Sequence, residues 1–260
     1  MQEGNYAGQN MLSKSQISFV KSLHHKKIRK EQGLFIAEGI KSILEFVQSD
    51  YKVETIFSTP HTMSKLDNLS QKIKVQEITD TELKKISTLI TPQDILALIH
   101  IPEKTDISAE SFKKSITLVL DGIQDPGNLG TIIRVADWFG FKQIICSTDT
   151  VEAYNPKVVQ ASMGSLSRVN IHYVILEDFF AKNTRPVYGA LLTGDSVYQT
   201  EFKNEEAFLI LGNEGNGISE SVQKYITKAI SIPRFGEAES LNVAVSAAIL
   251  CSELKRNSAK

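Results

Sequence analysis

The sequence predicts an α/β fold in two parts, with mostly parallel strands. Short β-branched runs alternate with helical patterns almost throughout the 260 residues, as in layered α/β folds. The stretch at 102–115 (PEKTDISAESFKKS) is polar and lacks clear periodicity, which makes it the predicted linker. We therefore expect one domain at 11–101 and another at 116–260, with 1–10 as a disordered tail or a remnant of recombinant expression.

In the first domain, apolar β-branched runs indicate strands at Leu34–Ala37, Val53–Phe57 and Ile95–Ile101. Apolar residues at helical spacing predict an amphipathic helix at Ile40–Gln48.

The second domain begins with a compact apolar strand, followed by a turn-rich loop and a helical run that ends near Gly140, a natural C-terminal cap. Its last helix is predicted from about Ser240 to Leu254. The strands are expected at Ile116–Leu120, Ile144–Cys146, Val187–Leu192, Phe208–Leu211 and Ala229–Ile232.

The composition, with 42% hydrophobic and 23% charged residues, is that of an ordinary soluble globular protein. No apolar run approaches the ~20 residues of a membrane helix, and the first residues lack the apolar segment of a signal peptide. Cys146 and Cys251 belong to no CxxC pair, so disulfide frameworks and metal sites are not expected. We expect both thiols to be buried in a cytoplasmic protein.

The net charge of −1 hides a basic segment from Leu12 to Lys30 that contains no acidic residue. Side chains at this density can neutralise backbone phosphates of nucleic acid, but a solvated helix face would have the same composition. The segment alone leaves both interpretations open. Its basic residues are Lys14, Lys21, Lys26, Lys27, Arg29 and Lys30.

Three polar stretches follow predicted strands of the second domain. Motif 1 is Asp125–Arg134 (DPGNLGTIIR), in which Asn128 is predicted to cap a helix and Arg134 to lie in its second turn. The arginine can reach past the loop towards a ligand. The alternative is an exposed arginine paired with Asp137.

Motif 2 is Leu211–Gly217 (LGNEGNG), which lies between a strand and a helix that Ser219 could cap. Its spacing fits neither of the common glycine-rich phosphate-binding patterns, and Glu214 would repel an anion. A loop with close backbone approach and one carboxylate favours a neutral or cationic ligand, such as a sulfonium.

Motif 3 is Ile232–Asn242 (IPRFGEAESLN), directly before the last helix. Ser240 or Asn242 alone would be interpreted as a helix cap. Both of them beside Leu241, after a loop with proline and glycine, suggest a shaped pocket with backbone groups free to bind.

Together, in this order and spacing, the motifs resemble the SpoU/TrmH family of S-adenosylmethionine-dependent RNA ribose 2′-O-methyltransferases. The matching text is DPGNLGTIIRVADWFGF, LILGNEGNGIS and ISIPRFGEAESLNVAVSAAIL, from about Leu118 to the end. The resemblance implies an α/β domain with a deep trefoil knot, S-adenosylmethionine as cofactor, no metal, and a homodimer formed through the knot region. The implied cofactor-binding residues are Gly212, Asn213, Gly217, Ile232 and Leu241.

The first domain resembles the small ribosomal-protein-like substrate-binding module of this family, in the text SKSQISFVKSLHHKKIRKEQGLFIAEGIKSILEF. That resemblance favours RNA contact by the basic segment, and a ribosomal RNA rather than a transfer RNA as substrate. One position departs from the family, which commonly has methionine where this chain has Arg234. The change leaves the cofactor motif recognisable and adds a candidate phosphate contact.

The implied reaction is an in-line displacement in which a ribose 2′-oxygen takes the cofactor's methyl group, mainly a task of positioning. No histidine lies in the three motifs, and an arginine stays protonated in proteins, so Arg134 is expected to stabilise the developing alkoxide while phosphate or solvent takes the proton. Glu214 is the expected partner of its guanidinium. Asn128, Ser240 and Asn242 would complete the catalytic set.

Three other functions compete with this one. A transfer-RNA 2′-O-methyltransferase would share the motifs, and so would a catalytically silent RNA-binding dimer. The intact catalytic set argues against the silent dimer, and a cofactor titration would test it. A nicotinamide oxidoreductase is disfavoured because the dinucleotide fingerprint is absent.

Overall fold

Two separate β-sheets organise the chain, one in each of two units. The computed structural model describes residues 12–66, 73–103, 107, 112–202 and 206–258. Unit 1 comprises Met1–Glu103 with Tyr154–Ser167, and unit 2 comprises Lys104–Ala153 with Arg168–Lys260. The predicted tail at 1–10 lies outside the described residues.

Unit 1 contains a four-stranded mixed sheet in the order β1-β4-β2-β3. Strand β4 runs antiparallel to β1 and β2, and only β2 and β3 are parallel, so the prediction of mostly parallel strands is wrong for this unit. Apolar patterns specify which face of a strand is buried but not its direction. The elements are α1 (Lys14–Ser22), α2 (Lys26–Gln32), β1 (Leu34–Glu38), α3 (Ile40–Val47), β2 (Val53–Ser58), α4 (Pro60–Met63), β3 (Lys74–Glu77), α5 (Asp80–Ile86) and β4 (Ile95–His100).

Unit 2 contains a six-stranded, wholly parallel sheet in the order β10-β8-β9-β5-β6-β7. Its central strand β9 is buried along its whole length, as expected of a parallel sheet covered on both faces. The elements, with α7 belonging to unit 1, are β5 (Ile116–Leu120), α6 (Pro126–Trp138), β6 (Gln143–Ser147), α7 (Pro156–Ser162), β7 (Asn170–Val174), α8 (Leu176–Ala181), β8 (Val187–Ser196), β9 (Ala207–Leu211), α9 (Glu220–Gln223), β10 (Lys228–Ser231) and α10 (Val243–Ser258).

The segment Tyr154–Ser167 packs with unit 1, although the sequence prediction assigns it to the second domain. The ring centroid of Tyr154 lies 4.8 Å from that of Phe35, and its hydroxyl is 3.3 Å from the hydroxyl of Tyr51. The amphipathic pattern of α7 requires a buried face but does not say which neighbour covers it.

The predicted linker is not wholly a solvated spacer. Phe112 is only 4% exposed, and its ring lies 5.3 Å from that of Phe208 and 5.8 Å from that of Phe179. Ile107 packs against the same core cluster. Two apolar residues among many polar ones show no periodicity, so the sequence does not predict that Ile107 and Phe112 pack against the core.

Cys146 and Cys251 are both buried and free, as predicted. Burial raises the pKa of both thiols, that of Cys251 to about 12. In the described parts of the chain, no helix is long and apolar enough to cross a membrane. Across the same residues, no group of His, Cys, Asp and Glu side chains could hold a metal ion.

Candidate functional site

Motif 1 forms the start of α6, and Asp125 rather than Asn128 is its N-cap. The Oδ1 atom of Asp125 accepts the backbone N–H of Asn128 at 2.8 Å, and Pro126 occupies the first helical position. Proline is favoured there because its φ angle suits a helix and its missing N–H costs no hydrogen bond. The predicted capping role of Asn128 is therefore wrong, and its side chain is free for another partner.

The side chain of Asn128 joins the three motifs. Its Nδ2 donates to Oε1 of Glu214 at 2.9 Å, while its Oδ1 accepts from Nδ2 of Asn242 at 2.9 Å. The backbone N–H of Gln124 also lies 3.5 Å from Oε2 of Glu214. Three of the five predicted catalytic residues thus form one hydrogen-bonded chain.

Arg134 lies in the third turn of α6 and not in the predicted second turn, because the helix begins at Pro126. Its side chain is exposed and forms no hydrogen bond or ion pair with any other residue that the structure describes. Both expected partners are engaged elsewhere. The carboxylate of Asp137 binds Arg168, whose Nε donates to Oδ1 at 3.1 Å and Oδ2 at 3.0 Å and whose Nη2 donates to Oδ2 at 2.8 Å. Glu214 binds Asn128, so neither predicted pairing of Arg134 is present.

Motif 2 closes on itself. Asn213 and Gly217 exchange two backbone hydrogen bonds, at 2.9 and 3.0 Å, and Oδ1 of Asn213 accepts the N–H groups of Gly215 and Asn216. Its Nδ2 donates to the carbonyl of Gly122 at 2.6 Å. Asn213 therefore holds the loop in shape, and its side chain is not free for a ligand in this conformation.

Gly212 lies directly against the backbone of Gly217 and Ile218, where a Cβ atom would overlap both residues. The sequence predicts that the backbone of this loop approaches a ligand closely. At Gly212 the closely packed neighbour is the backbone of the same loop. Gly217 itself has a φ of 69°, a conformation that favours glycine.

Sequence reasoning missed Asp121, a buried residue directly after β5. Its Oδ2 accepts the backbone N–H of Ser219 at 2.8 Å and so ties the start of α9 to the end of β5. Ser219 is the N-cap residue of α9, but its side chain forms no capping hydrogen bond. In the sequence, Asp121 is only a single acidic residue at the end of a predicted strand. Its partner lies 98 positions away, so the sequence does not predict this hydrogen bond.

Motif 3 offers unpaired backbone groups. No backbone N–H between Ile232 and Leu241 donates a hydrogen bond to another described residue. Ile232 is half-buried and Leu241 is 48% exposed, so both flank this open backbone with apolar surface. Ser240 is exposed and has no hydrogen-bond partner among the described residues.

The ends of motif 3 are fixed by side chains. Oδ1 of Asn242 accepts the N–H groups of Ala244 at 2.9 Å and Val245 at 3.3 Å, and so caps α10. Nη1 of Arg234 donates to the carbonyl of Ala238 at 3.3 Å, while the side chain stays exposed. Asn242 thus combines the capping role with its bond to Asn128.

The basic segment of unit 1 divides into five exposed lysines and one buried arginine. Arg29 is 2% exposed, and its Nη1 donates to the carbonyl oxygens of Leu23 at 2.9 Å and His24 at 2.8 Å. Its prediction as an RNA contact is therefore wrong, because a buried guanidinium bonded to backbone cannot reach a phosphate. The exposed side chains are those of Lys14, Lys21, Lys26, Lys27 and Lys30.

Comparison with known proteins places this site in a family. Residues 115–252, more than half of the chain, match the model of the SpoU rRNA methylase family. The chain belongs to that family. Residues 14–97 match the MRM3-like substrate binding domain, so the resemblance of both parts is confirmed.

Relatives cover nearly the whole chain. The 23S rRNA (guanosine(2553)-2′-O)-methyltransferase RlmP of Bacillus subtilis is 33% identical over 90% of this chain and 94% of its own. The 23S rRNA (guanosine-2′-O-)-methyltransferase RlmB of Neisseria meningitidis is 28% identical over 83% of this chain and 88% of its own.

Solved structures confirm the α/β fold of this chain. A TrmH-family protein from Porphyromonas gingivalis is 38% identical, with a TM-score of 0.83 over 95% of this chain and 99% of its own. An AdoMet-bound rRNA methyltransferase from Sinorhizobium meliloti is 26% identical, with a TM-score of 0.84 over 96% of this chain and 98% of its own.

Proposed function

We propose that this chain methylates a ribose 2′-hydroxyl in ribosomal RNA, in the cytoplasm, with S-adenosylmethionine as methyl donor. Its family membership and the names of its relatives support this substrate class over transfer RNA. Two observations together carry the proposal. A hydrogen-bonded side-chain network joins all three motifs, and the guanidinium of Arg134 in motif 1 has no partner among the described residues.

The residues of motifs 2 and 3 fit the cofactor. The unpaired backbone between Ile232 and Leu241 can bind polar edges of an adenosine, and these two side chains supply apolar surface. Gly212 and Gly217 set the shape of motif 2, and the side chain of Asn213 holds that loop in place. The exposed carboxylate of Glu214 favours a cationic ligand.

When bound, S-adenosylmethionine supplies a methyl group activated by a sulfonium. Arg134 can donate hydrogen bonds to the ribose oxygen and stabilise the negative charge that develops on it. The hydroxyl proton leaves to a substrate phosphate or to solvent, because a guanidinium does not accept one. Asn128, Glu214 and Asn242 fix the first turn of α6, the helix that carries Arg134 further along, and Ser240 is a further substrate contact on motif 3.

The proposal extends to the assembly of the molecule. We infer that the C-terminal segment forms a trefoil knot and that two copies pair through this region. Membership of the SpoU rRNA methylase family, whose model matches residues 115–252, supports both parts of this inference. Trp138 and Val245, on the packed helices α6 and α10, expose 84% and 48% of their surface and would be covered in a dimer.

Mapping of 2′-O-methyl sites tests the function. Ribosomal and transfer RNA from cells with and without the protein would be compared nucleotide by nucleotide. We expect one mark in the large ribosomal RNA to disappear and to return when purified protein and S-adenosylmethionine are added. A change confined to transfer RNA would overturn the substrate class, and no affinity for the cofactor would overturn the reaction.

A further inference from the structure

The connection from α5 to β4, residues Ser87–Asp94, presents an uncovered apolar side chain and is called the α5–β4 loop below. Ile90 is 105% exposed, the largest fraction among the large hydrophobic side chains of the described residues. Single apolar residues are common on protein surfaces, so the exposure of Ile90 alone indicates nothing.

A buried carboxylate holds the first half of this loop. Glu38, at the end of β1, is 3% exposed and accepts the backbone N–H of Thr88 at 2.8 Å. It also accepts short hydrogen bonds from the hydroxyls of Ser87 and Thr88, and the hydroxyl of Ser87 in turn accepts the N–H of Leu89 at 3.0 Å. The residues before Ile90 are therefore fixed to the sheet, so this apolar side chain projects from a supported backbone.

The second half is held as well. The carbonyl of Asp94 accepts the N–H of Thr59 at 2.9 Å, and the side chain of Gln93 lies against the backbone of Gly39. Asp94 has a φ of 59°, so the loop enters β4 through a left-handed residue. A loop anchored at both ends loses little conformational entropy when it binds a ligand.

Basic side chains lie near both ends of the loop. Lys84 and Lys85 are exposed in the last turn of α5, directly before it, and Lys41 is exposed in the first turn of α3, two residues after Gly39. The ring Nε2 of His24 lies 3.1 Å from the carbonyl of Ile86, the residue directly before the loop, so the basic segment approaches the first end of the loop. The one acidic residue of the loop is Asp94, at its far end from this segment.

We propose that the α5–β4 loop contacts RNA through Ile90, which packs against the face of an unpaired base while the flanking lysines bind phosphates. An apolar protein partner would not explain exposed lysines near both ends of the loop. A paired helix hides the faces of its bases, whereas loops and bulges of folded RNA expose them. Lysines alone bind any RNA backbone, so the apolar contact would supply the preference for folded ribosomal RNA.

This inference rests on the proposed function, and equilibrium binding of the full chain tests it apart from methyl transfer. The ligands are an unmethylated 23S ribosomal RNA transcript and a fully paired RNA duplex, each measured at several salt concentrations. Ile90→Ala removes no packing, because the side chain is fully exposed. The matched control is Ile175→Ala, an exposed aliphatic residue of unit 2.

We expect Ile90→Ala to weaken binding of the transcript about fivefold, the lower end of what one stacked base contributes. Binding of the duplex, the salt dependence and the affinity for S-adenosylmethionine should not change, because no phosphate contact is lost. Ile175→Ala should match the wild type in every assay.

Equal affinity of Ile90→Ala and the wild type for the transcript would overturn the loop contact. An equal loss on the transcript and the duplex would also overturn it, because the contact would then not depend on unpaired bases. Failure of the wild type to methylate the transcript, with binding of Ile90→Ala still reduced, would overturn the proposed function and leave the contact standing.

Discussion

Arg134 lies on a helix whose first turn is fixed by Asn128, yet its own guanidinium has no partner among the residues described. An exposed arginine without a partner is available to a substrate oxygen. We expect Arg134→Ala to lower the rate of methyl transfer at least 100-fold, about 2.7 kcal/mol of barrier, while cofactor affinity by calorimetry stays within twofold.

Lys182→Ala, which removes an exposed cation at the end of α8, is the control and should keep the wild-type rate. Turnover of Arg134→Ala within about tenfold of the wild type, roughly 1.4 kcal/mol, would show that the arginine does not stabilise the transition state.

Arg29 has the opposite surroundings, buried under the turn between α1 and α2. Arg29→Met keeps the volume but leaves the carbonyls of Leu23 and His24 without their donor. We expect it to lower the free energy of unfolding by about 3 kcal/mol, measured by urea denaturation. The exposed Lys27→Met should change it by less than about 0.5 kcal/mol, and equal effects of the two substitutions would contradict the structural role.

The residues of the three motifs could be predicted because each motif is contiguous in sequence. Their connections could not, since Glu214 and Asn128 are 86 positions apart and Asn242 and Asn128 are 114 apart. Arg29 and Lys27 look alike in a basic segment, and only the fold distinguishes a buried donor from a solvated one. The cap of α6 was also assigned to Asn128, because Asp125 and Asn128 are both good capping residues.

At the scale of elements, buried central strands were predictable and polar edge strands were not. Strand β5 was expected at Ile116–Leu120 and lies there, in the middle of the parallel sheet. Strands β3 (KVQE) and β7 (NIHYV) were missed, because each pairs with one neighbour only and carries polar residues along its length. Such edges resist pairing with other chains, so their composition reflects position rather than propensity.

The shape of motif 2 depends on the absence of a Cβ atom at Gly212. In Gly212→Ala the new Cβ would overlap the backbone of Gly217 and Ile218, so the loop must open. We expect affinity for S-adenosylmethionine, measured by calorimetric titration, to fall at least tenfold, about 1.4 kcal/mol.

Gly215→Ala is the matched control, because its Cβ would meet Oδ1 of Asn213 at 3.5 Å, an ordinary contact. That variant should bind the cofactor within about twofold of the wild type. If both alanine variants bind equally well, the closed form of motif 2 does not matter for the cofactor.

At the scale of the whole molecule, segment order along the chain does not define the two units. Tyr154–Ser167 lies between β6 and β7 in sequence but belongs to unit 1. Domain boundaries predicted from linkers alone cannot detect such a segment. They assume that each domain is one continuous stretch of sequence, whereas the units are defined by packing. Unit 1 therefore includes a segment that comes from the methylase part of the sequence, since residues 115–252 match the SpoU model.

The proposed dimer makes a prediction for the whole molecule. Val245 lies exposed near the start of α10, beside α6 with its exposed Trp138. Val245→Asp would place an unpaired carboxylate in an apolar interface, at a cost of several kcal/mol. In sedimentation velocity at micromolar protein, we expect the wild type to be a dimer and Val245→Asp a monomer with intact secondary structure.

Ile175→Asp introduces the same charge at an exposed aliphatic residue outside α6 and α10, and it should leave the dimer intact. A monomeric wild type would refute pairing through this region. Dissociation by both substitutions would refute it as well, because the effect of the added charge would then not depend on its position. If dissociation occurs with Val245→Asp alone and cofactor affinity falls with it, the surface of α6 and α10 both joins the copies and shapes the cofactor site.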